Sequence, residues 1–209
     1  LGVIYDESYE GDGLKIKEVL PDGPLSIADP EIKAGDIITS INGNVIKAGE
    51  DWYRFMTDRA GKKTPLTIKK GGKKETDMFV EPGYSDQSLL YKRWVKEREK
   101  KVAELSGGTI GYVHVEGMNS PSFREVYSKA LGKYRTADAL IVETRHNGGG
   151  WLHDDLVTFL SGRDYVTYQP RGRYIGKDPY SKWSKPSCVL VCEDNYSDAC
   201  GFPYAYKAL

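Results

Sequence analysis

The sequence predicts a mixed fold, a small and mostly β module followed by an α/β domain. Three observations carry that expectation. Short turn-bounded apolar runs dominate residues 1–83, a charged helical stretch fills 84–108, and from 109 onward apolar runs alternate with helical patterns. At 209 residues the chain has room for one large domain or two small ones.

In the first region Leu14-Lys15-Ile16-Lys17-Glu18-Val19 alternates apolar and polar residues, as a half-buried strand does. Pro21-Asp22-Gly23-Pro24 then turns the chain. Ala34-Gly35-Asp36-Ile37-Ile38 leads through Ser40-Ile41 to Asn42-Gly43, a hairpin turn because both central residues tolerate positive φ. Asp51 to Ala60 is predicted as a short helix with Trp52, Phe55 and Met56 on one side and Gly61 as its C-cap glycine. Leu66-Thr67-Ile68 and Met78-Phe79-Val80 are predicted strands joined through Gly71-Gly72.

Tyr91, Trp94, Val95, Arg98, Val102 and Leu105 form one stripe of a helix, and Gly107-Gly108 stops it. Lysines interleaved with glutamates cover its other faces, which fits a solvated helix joining two domains better than a nucleic-acid patch. Beyond it, Thr109 to Val115 alternates as a strand. Asn119 or Ser120 caps a helix through Phe123, Val126, Tyr127 and Leu131, with Pro121 near its start. Ala139 to Glu143 is a continuous apolar strand of the kind buried on both faces. A helix from Leu152 to Leu160 follows Gly148-Gly149-Gly150. Ser187 to Cys192 is a second buried strand, and a helix begins at Ser197, with Pro203 bending it. Strands alternating with helices predict a largely parallel sheet whose site gathers at the strands' carboxyl ends. Both the triple glycine and Ser197 lie just beyond such ends.

Composition excludes several classes. Lys+Arg and Asp+Glu both number 30, so no field draws in nucleic acid or an anionic membrane. No apolar run is long enough to span a bilayer. The chain opens on Leu1 with no charged segment and apolar stretch behind it, so a longer parent protein is expected and the compartment is left open. Cys188, Cys192 and Cys200 are too few and too clustered for a disulfide framework. The first two are expected to pack as small hydrophobes, and neither a metal nor a cofactor is expected.

Ser197 admits two roles. Serine is a favoured N-cap whose hydroxyl bonds an N–H of the first helical turn, and most serines before a helix do only that. A serine at a helix start, beside a glycine loop with free N–H groups, also supplies an attacking oxygen and an oxyanion hole. The glycines can equally make a plain tight connection, and no Gly-Lys-Ser/Thr follows to suggest a phosphate loop.

The first region closely resembles a PDZ domain of the bacterial and archaeal protease type, through the Pro24 turn, Ala34-Gly35-Asp36-Ile37-Ile38, Ser40-Ile41-Asn42-Gly43, the helix ending at Gly61 and the Leu66-Thr67-Ile68 strand. By that likeness Leu1, Gly2, Val3 and Ile4 stand where such domains hold a peptide C-terminus. Alternatively they are simply a first strand. Gly111-Tyr112-Val113, Ala139 to Arg145 with Asn147-Gly148-Gly149-Gly150, and Val189-Leu190-Val191 before Ser197 resemble the catalytic domain of the C-terminal processing (tail-specific) serine proteases. Asn195-Tyr196-Ser197-Asp198-Ala199 and Phe202 to Lys207 resemble the tricorn-type branch. The likeness implies an incomplete crotonase/ClpP-like α/β domain over 109–209, behind a PDZ domain over 1–83 and a connector over 84–108. It implies Ser197 as nucleophile, and an oxyanion hole from the N–H of Asp198 and that of Gly148 or Gly149. The substrate would be a peptide or unfolded protein, approached by its C-terminus.

The likeness leaves the base unassigned. A serine hydroxyl needs a neighbour to take its proton. The family's lysine would follow Leu209 and the tricorn-type histidine would precede the PDZ domain. His114, His146 and His153 are expected to be structural or solvated. The base is therefore expected in the remaining domains of the parent, with residues 1–209 inactive alone. Two other classes compete, a protease-like scaffold that has lost its chemistry and a crotonase-like acyl-CoA enzyme. The second is disfavoured by the PDZ likeness and by the serine after the strand.

Overall fold

The computed structural model describes residues 1–71 and 74–209. It divides into two compact units, Leu1–Trp94 and Val95–Leu209. Gly72, half of the predicted Gly71-Gly72 connection, lies outside the described residues.

In the first unit strands β1 (Val3–Tyr5), β2 (Leu14–Val19), β3 (Ile37–Ile41), β4 (Asn44–Val45), β5 (Thr64–Lys70) and β6 (Lys74–Val80) form an antiparallel sheet. Its order is β1-β2-β3-β5-β6, with β4 paired to β3. Period-two alternation sends Leu66 and Ile68 into one core with Ile16, and the register irregularity between Ile38 and Ser40 lets Ile38 and Ile41, three residues apart on β3, both join them. Asn42 and Gly43 both take positive φ, 51° and 79°, between the paired Ile41 and Asn44. The Gly35-Asp36 pair also has a physical reason. Gly35 adopts φ 91°, and the buried Asp36 carboxylate accepts the N–H groups of Lys33 (3.0 Å) and Gly71 (3.1 Å).

One predicted element is shorter than expected. The helix over Asp51 to Ala60 is a 3-10 turn of five residues, Trp52–Met56, capped by Asp51 accepting from the Tyr53 N–H. It ends because Thr57 takes ψ 129° and Asp58 takes φ 57°, so Gly61 is not its cap. Trp52 and Phe55, three apart and eclipsed in a 3-10 turn, still face the core with Met56.

Helix α1 (Gln87–Ser106) contains the division between the units. Its stripe is half-buried, with Leu105 exposed. Gly107 and Gly108 take positive φ, and the Gly108 N–H bonds the Ala103 carbonyl at 2.8 Å, closing the helix as predicted.

The second unit is built on β7 (Ile110–His114), β8 (Ala139–Glu143) and β11 (Ser187–Leu190), parallel, in the order β11-β8-β7. Parallel neighbours require crossovers, and helices supply them. α2 (Ser120–Ser128), capped by Asn119 accepting from the Ser122 N–H at 3.0 Å, joins β7 to β8. α3 (His153–Leu160) and an exposed hairpin, β9 (Val166–Tyr168) and β10 (Gly176–Asp178), join β8 to β11. α4 (Asp198–Ala208) follows and packs beside α3. Val113, Leu140, Val142, Leu156, Phe159 and Phe202 fill the core between them. Burying each of these contributes roughly 1.5–3 kcal/mol.

β11 departs from the predicted buried strand. It is an edge strand covered on one face among the described residues: Val189 packs inward while Cys188 and Leu190 are exposed. Cys188 is therefore no buried hydrophobe, and Cys192 lies beyond the strand, half-buried. Pro203 sits inside α4 and cannot donate to the Ala199 carbonyl one turn back. The side-chain amide of Asn195 reaches that carbonyl at 3.4 Å instead. No helix among the described residues is long and apolar enough to cross a membrane.

Candidate active site at the triple-glycine turn

The site forms where β8 and β11 end. β8 runs out into Thr144 to Gly150, and β11 into the turn that carries Ser197. Asn147, fully buried, holds these segments together. Its side-chain amide donates to the Val115 carbonyl at 2.8 Å, its side-chain oxygen accepts the Gly149 N–H at 2.8 Å, and its own carbonyl accepts the Tyr196 N–H at 3.0 Å. Asn195 does the same from the other side, donating to the Thr144 hydroxyl at 3.0 Å. The Met118 N–H bonds the Gly149 carbonyl and the Trp151 N–H bonds the Met118 carbonyl, so Gly150 bridges to the chain after β7.

Glycine is required here on steric grounds. Gly149 takes φ 96°, and a Cβ on it would sit 2.7 Å from Ser197 Cβ and 2.8 Å from the Tyr196 carbonyl oxygen. Gly150 takes φ 141°, and a Cβ there would meet the Met118 oxygen at 2.1 Å. Gly149 is thus packed against the Tyr196-Ser197-Asp198 turn, although 48 positions separate Gly149 from Ser197 in the sequence.

Ser197 is exposed and takes φ 53°, ψ −123°, a conformation costing a non-glycine residue about 1–3 kcal/mol. It occupies the N-cap position of α4, yet its side chain caps nothing, and its hydroxyl has no hydrogen bond among the described residues. The capping role open to it on sequence grounds is therefore not the one it plays. The Gly149 N–H is committed to Asn147, whereas the N–H groups of Gly148 and Asp198 donate to no acceptor among the described residues. The Asp198 nitrogen lies 3.4 Å from where a Gly149 Cβ would be.

Asp198 has a further role that its position does not reveal. Leu152, at the N-cap of α3, cannot cap it. The Asp198 carboxylate does so from the neighbouring helix, accepting the N–H groups of Leu152 (2.6 Å) and His153 (3.0 Å) and holding His153 Nδ1 at 2.5 Å. Asp198→Ala is expected to cost about 0.5–2 kcal/mol in urea unfolding, and Asp198→Asn, which keeps one acceptor, less.

The three histidines are all engaged away from Ser197. His146 Nδ1 pairs with Asp194 at 2.8 Å, and His153 pairs with Asp198. His114 is buried with Nε2 on the Arg145 carbonyl at 3.0 Å. Burial lowers the His114 pKa below its ordinary 6.5, against smaller opposing effects of the Arg145 carbonyl, Glu143 and Glu116. Its neutral form is thus favoured by folding. That contribution is complete above pH 6.5 and lost as pH falls below 6.5 toward the depressed folded value. Urea unfolding should show stability declining below that pH, by no more than about 1.4 kcal/mol per unit, and His114→Gln should flatten the decline.

At the first unit's edge, Leu1 and Gly2 are buried, and Gly2 packs so closely on Gly23 and Pro24 that a Cβ would meet them at 2.7 and 2.9 Å. Val3 and Ile4 pair with Val19 and Glu18, so this segment is a strand at the sheet edge. Val3 and Ile4 also line a cavity of about 500 Å³ with Tyr5, Trp52 and Leu90. The aromatic and basic stretch from Tyr165 to Lys185 carries the exposed hairpin, where Tyr165, Tyr174 and Tyr180 face solvent.

Sequence reasoning missed Asn147, Asn195 and the cap made by Asp198. The Asn-Gly-Gly-Gly and Asn-Tyr-Ser-Asp strings held the signal, but short polar residues in turns do not announce their long-range partners.

Comparison with known proteins places both regions of the chain in known families. The sequence profile of the PDZ domain matches residues 1–69, and that of Peptidase family S41 matches residues 109–209. The Tricorn protease of Thermoplasma acidophilum is 27% identical over 205 residues, covering 97% of this chain and 18% of that protein. Tricorn protease homolog 1 of Streptomyces coelicolor is 28% identical over 210 residues, covering 96% of this chain and 20% of that protein. The crystal structure of the tricorn protease superposes with a TM-score of 0.80 at 23% identity, over 99% of this chain and 21% of that one, a likeness of fold. The chain thus spans about a fifth of the length of the curated relatives it matches.

Proposed function

The chain joins a PDZ domain to a Peptidase family S41 domain, and from that premise we propose that it carries the nucleophile and oxyanion hole of a serine endopeptidase. One observation carries the proposal: an exposed serine at positive φ, its hydroxyl uncommitted, is pressed against a glycine turn. Ser197 Oγ attacks the carbonyl carbon of the scissile peptide and its proton passes to a general base. The N–H groups of Asp198 and Gly148 stabilise the resulting oxyanion. Such a donor contributes roughly 3–4 kcal/mol to the transition state. The peptide C–N bond then breaks, the departing amine takes the proton, and water hydrolyses the acyl-enzyme.

The base comes from outside residues 1–209, supplied by the remaining domains of the parent protein. None of the three histidine rings here bonds the Ser197 hydroxyl. The substrate is a peptide or unfolded protein, and its extended end adds to the free edge of β1 beside the 500 Å³ cavity. The test is labelling of Ser197 by a fluorophosphonate in the parent protein. Ser197→Ala should remove the label, while His146→Ala and His153→Ala should retain it. Absence of label on folded wild-type protein would instead favour a peptide-binding scaffold.

A further inference from the structure

A second cluster of reactive side chains lies one residue from the buried Asn147 and is not used in acyl transfer. His146, Cys192 and Asp194 converge from the ends of β8 and β11, and their donor atoms all lie within 4.8 Å of one another. His146 Nδ1 is 2.8 Å from Asp194 Oδ2 and 4.0 Å from Cys192 Sγ, and Cys192 Sγ is 2.5 Å from Asp194 Oδ1. The backbone contributes as well. The His146 N–H points at Cys192 Sγ at 3.2 Å, a donor that stabilises a thiolate.

We propose that His146, Cys192 and Asp194 bind a zinc-like divalent transition-metal ion. The argument is one of donor chemistry. One imidazole nitrogen, one thiolate and one carboxylate oxygen form a mixed N/S/O tripod that suits Zn²⁺ or Co²⁺ and leaves a fourth position for water. Mg²⁺ and Ca²⁺ prefer all-oxygen shells and are excluded by the sulfur and the imidazole. Two such ligands on one tetrahedral ion lie about 3.5 Å apart, so binding draws Cys192 Sγ and His146 Nδ1 together by about 0.5 Å and swings the Asp194 carboxylate about 1 Å away from the sulfur, a rotation its exposed side chain allows. The hydrogens now shared with the Asp194 carboxylate give way to the metal. The thiol proton is released to solvent, and the imidazole proton moves to Nε2, leaving Nδ1 to bind.

A Cys-His-Asp nucleophilic triad is the other chemistry these residues could suggest, and the geometry rejects it. The thiol and the carboxylate both face His146 Nδ1, whereas a triad needs them on opposite ring nitrogens. A bound metal would instead pin the chain before Asn147 to the turn before Asn195, the two asparagines that hold Gly149 and Ser197 in place.

Co²⁺ titration of the purified chain tests this without reference to peptidase activity. One equivalent should produce a thiolate-to-cobalt charge-transfer band that Zn²⁺ displaces and Mg²⁺ does not. Cys192→Ser should abolish the band, while Cys188→Ser and Cys200→Ser keep it. Asp194→Asn, at an exposed position, should weaken binding by at least about tenfold, with circular dichroism showing each variant folded. The proposal is overturned if no band forms, if it survives in Cys192→Ser, or if it depends on Cys188 or Cys200.

Discussion

Ser197→Ala is expected to lower peptide hydrolysis by the parent protein by on the order of 10⁶-fold, with unfolding stability little changed. The size of the effect follows from the loss of the proposed attacking atom. Oxyanion donors and substrate contacts remain, so the residual rate should stay above that in water by roughly 10³–10⁴-fold. Stability should hold because the hydroxyl makes no hydrogen bond among the described residues that its removal would cost. Alanine tolerates φ 53° no better than serine, so the strained turn persists in the variant. Steady-state kinetics beside a urea melt check both halves. A fall of less than tenfold would remove Ser197 from the chemistry.

Gly149→Ala and Gly148→Ala should differ sharply although they are neighbours. At Gly149 the new methyl group meets Ser197 Cβ and the Tyr196 carbonyl under 3.0 Å, at a φ that disfavours any side chain. Either the turn opens or Ser197 moves. A displacement of about 1 Å at a reacting atom is enough to cost roughly 10²-fold in rate, and the backbone strain about 1–3 kcal/mol in stability. At Gly148 an added Cβ meets nothing within 4 Å and the N–H is retained. Gly148→Ala should therefore stay within about 1 kcal/mol of wild type in stability. Fluorophosphonate labelling rates of the two variants, set against their melting curves, separate loss of positioning from loss of fold. Equal rates would mean that the close approach at Gly149 does not serve the site.

How much of this was legible from residues alone depends on whether the deciding interaction is local. Asn42-Gly43, Gly107-Gly108 and the Asn119 cap were legible because each acts within a few residues of itself. The helix over Asp51 to Ala60 was overextended. Its apolar spacing fits a 3-10 turn as well as an α-helix, and Thr57 and Asp58 end it through backbone angles that composition does not report. The apolar run over Ser187 to Cys192 predicts a buried strand, yet such a run does not say which of its faces another layer covers.

The order of strands, helices and turn glycines, and with it the candidate serine and its glycine partner, was written in the chain itself, since periodicity and φ preference are properties of short segments. Folding in three dimensions alone decided that Gly148, not Gly149, keeps an uncommitted N–H. It also decided that Asp198 caps the helix beside its own and that two buried asparagines fasten the turns. Those choices turn on which distant donor meets which acceptor once the core has closed, and no stretch of neighbouring residues encodes that meeting.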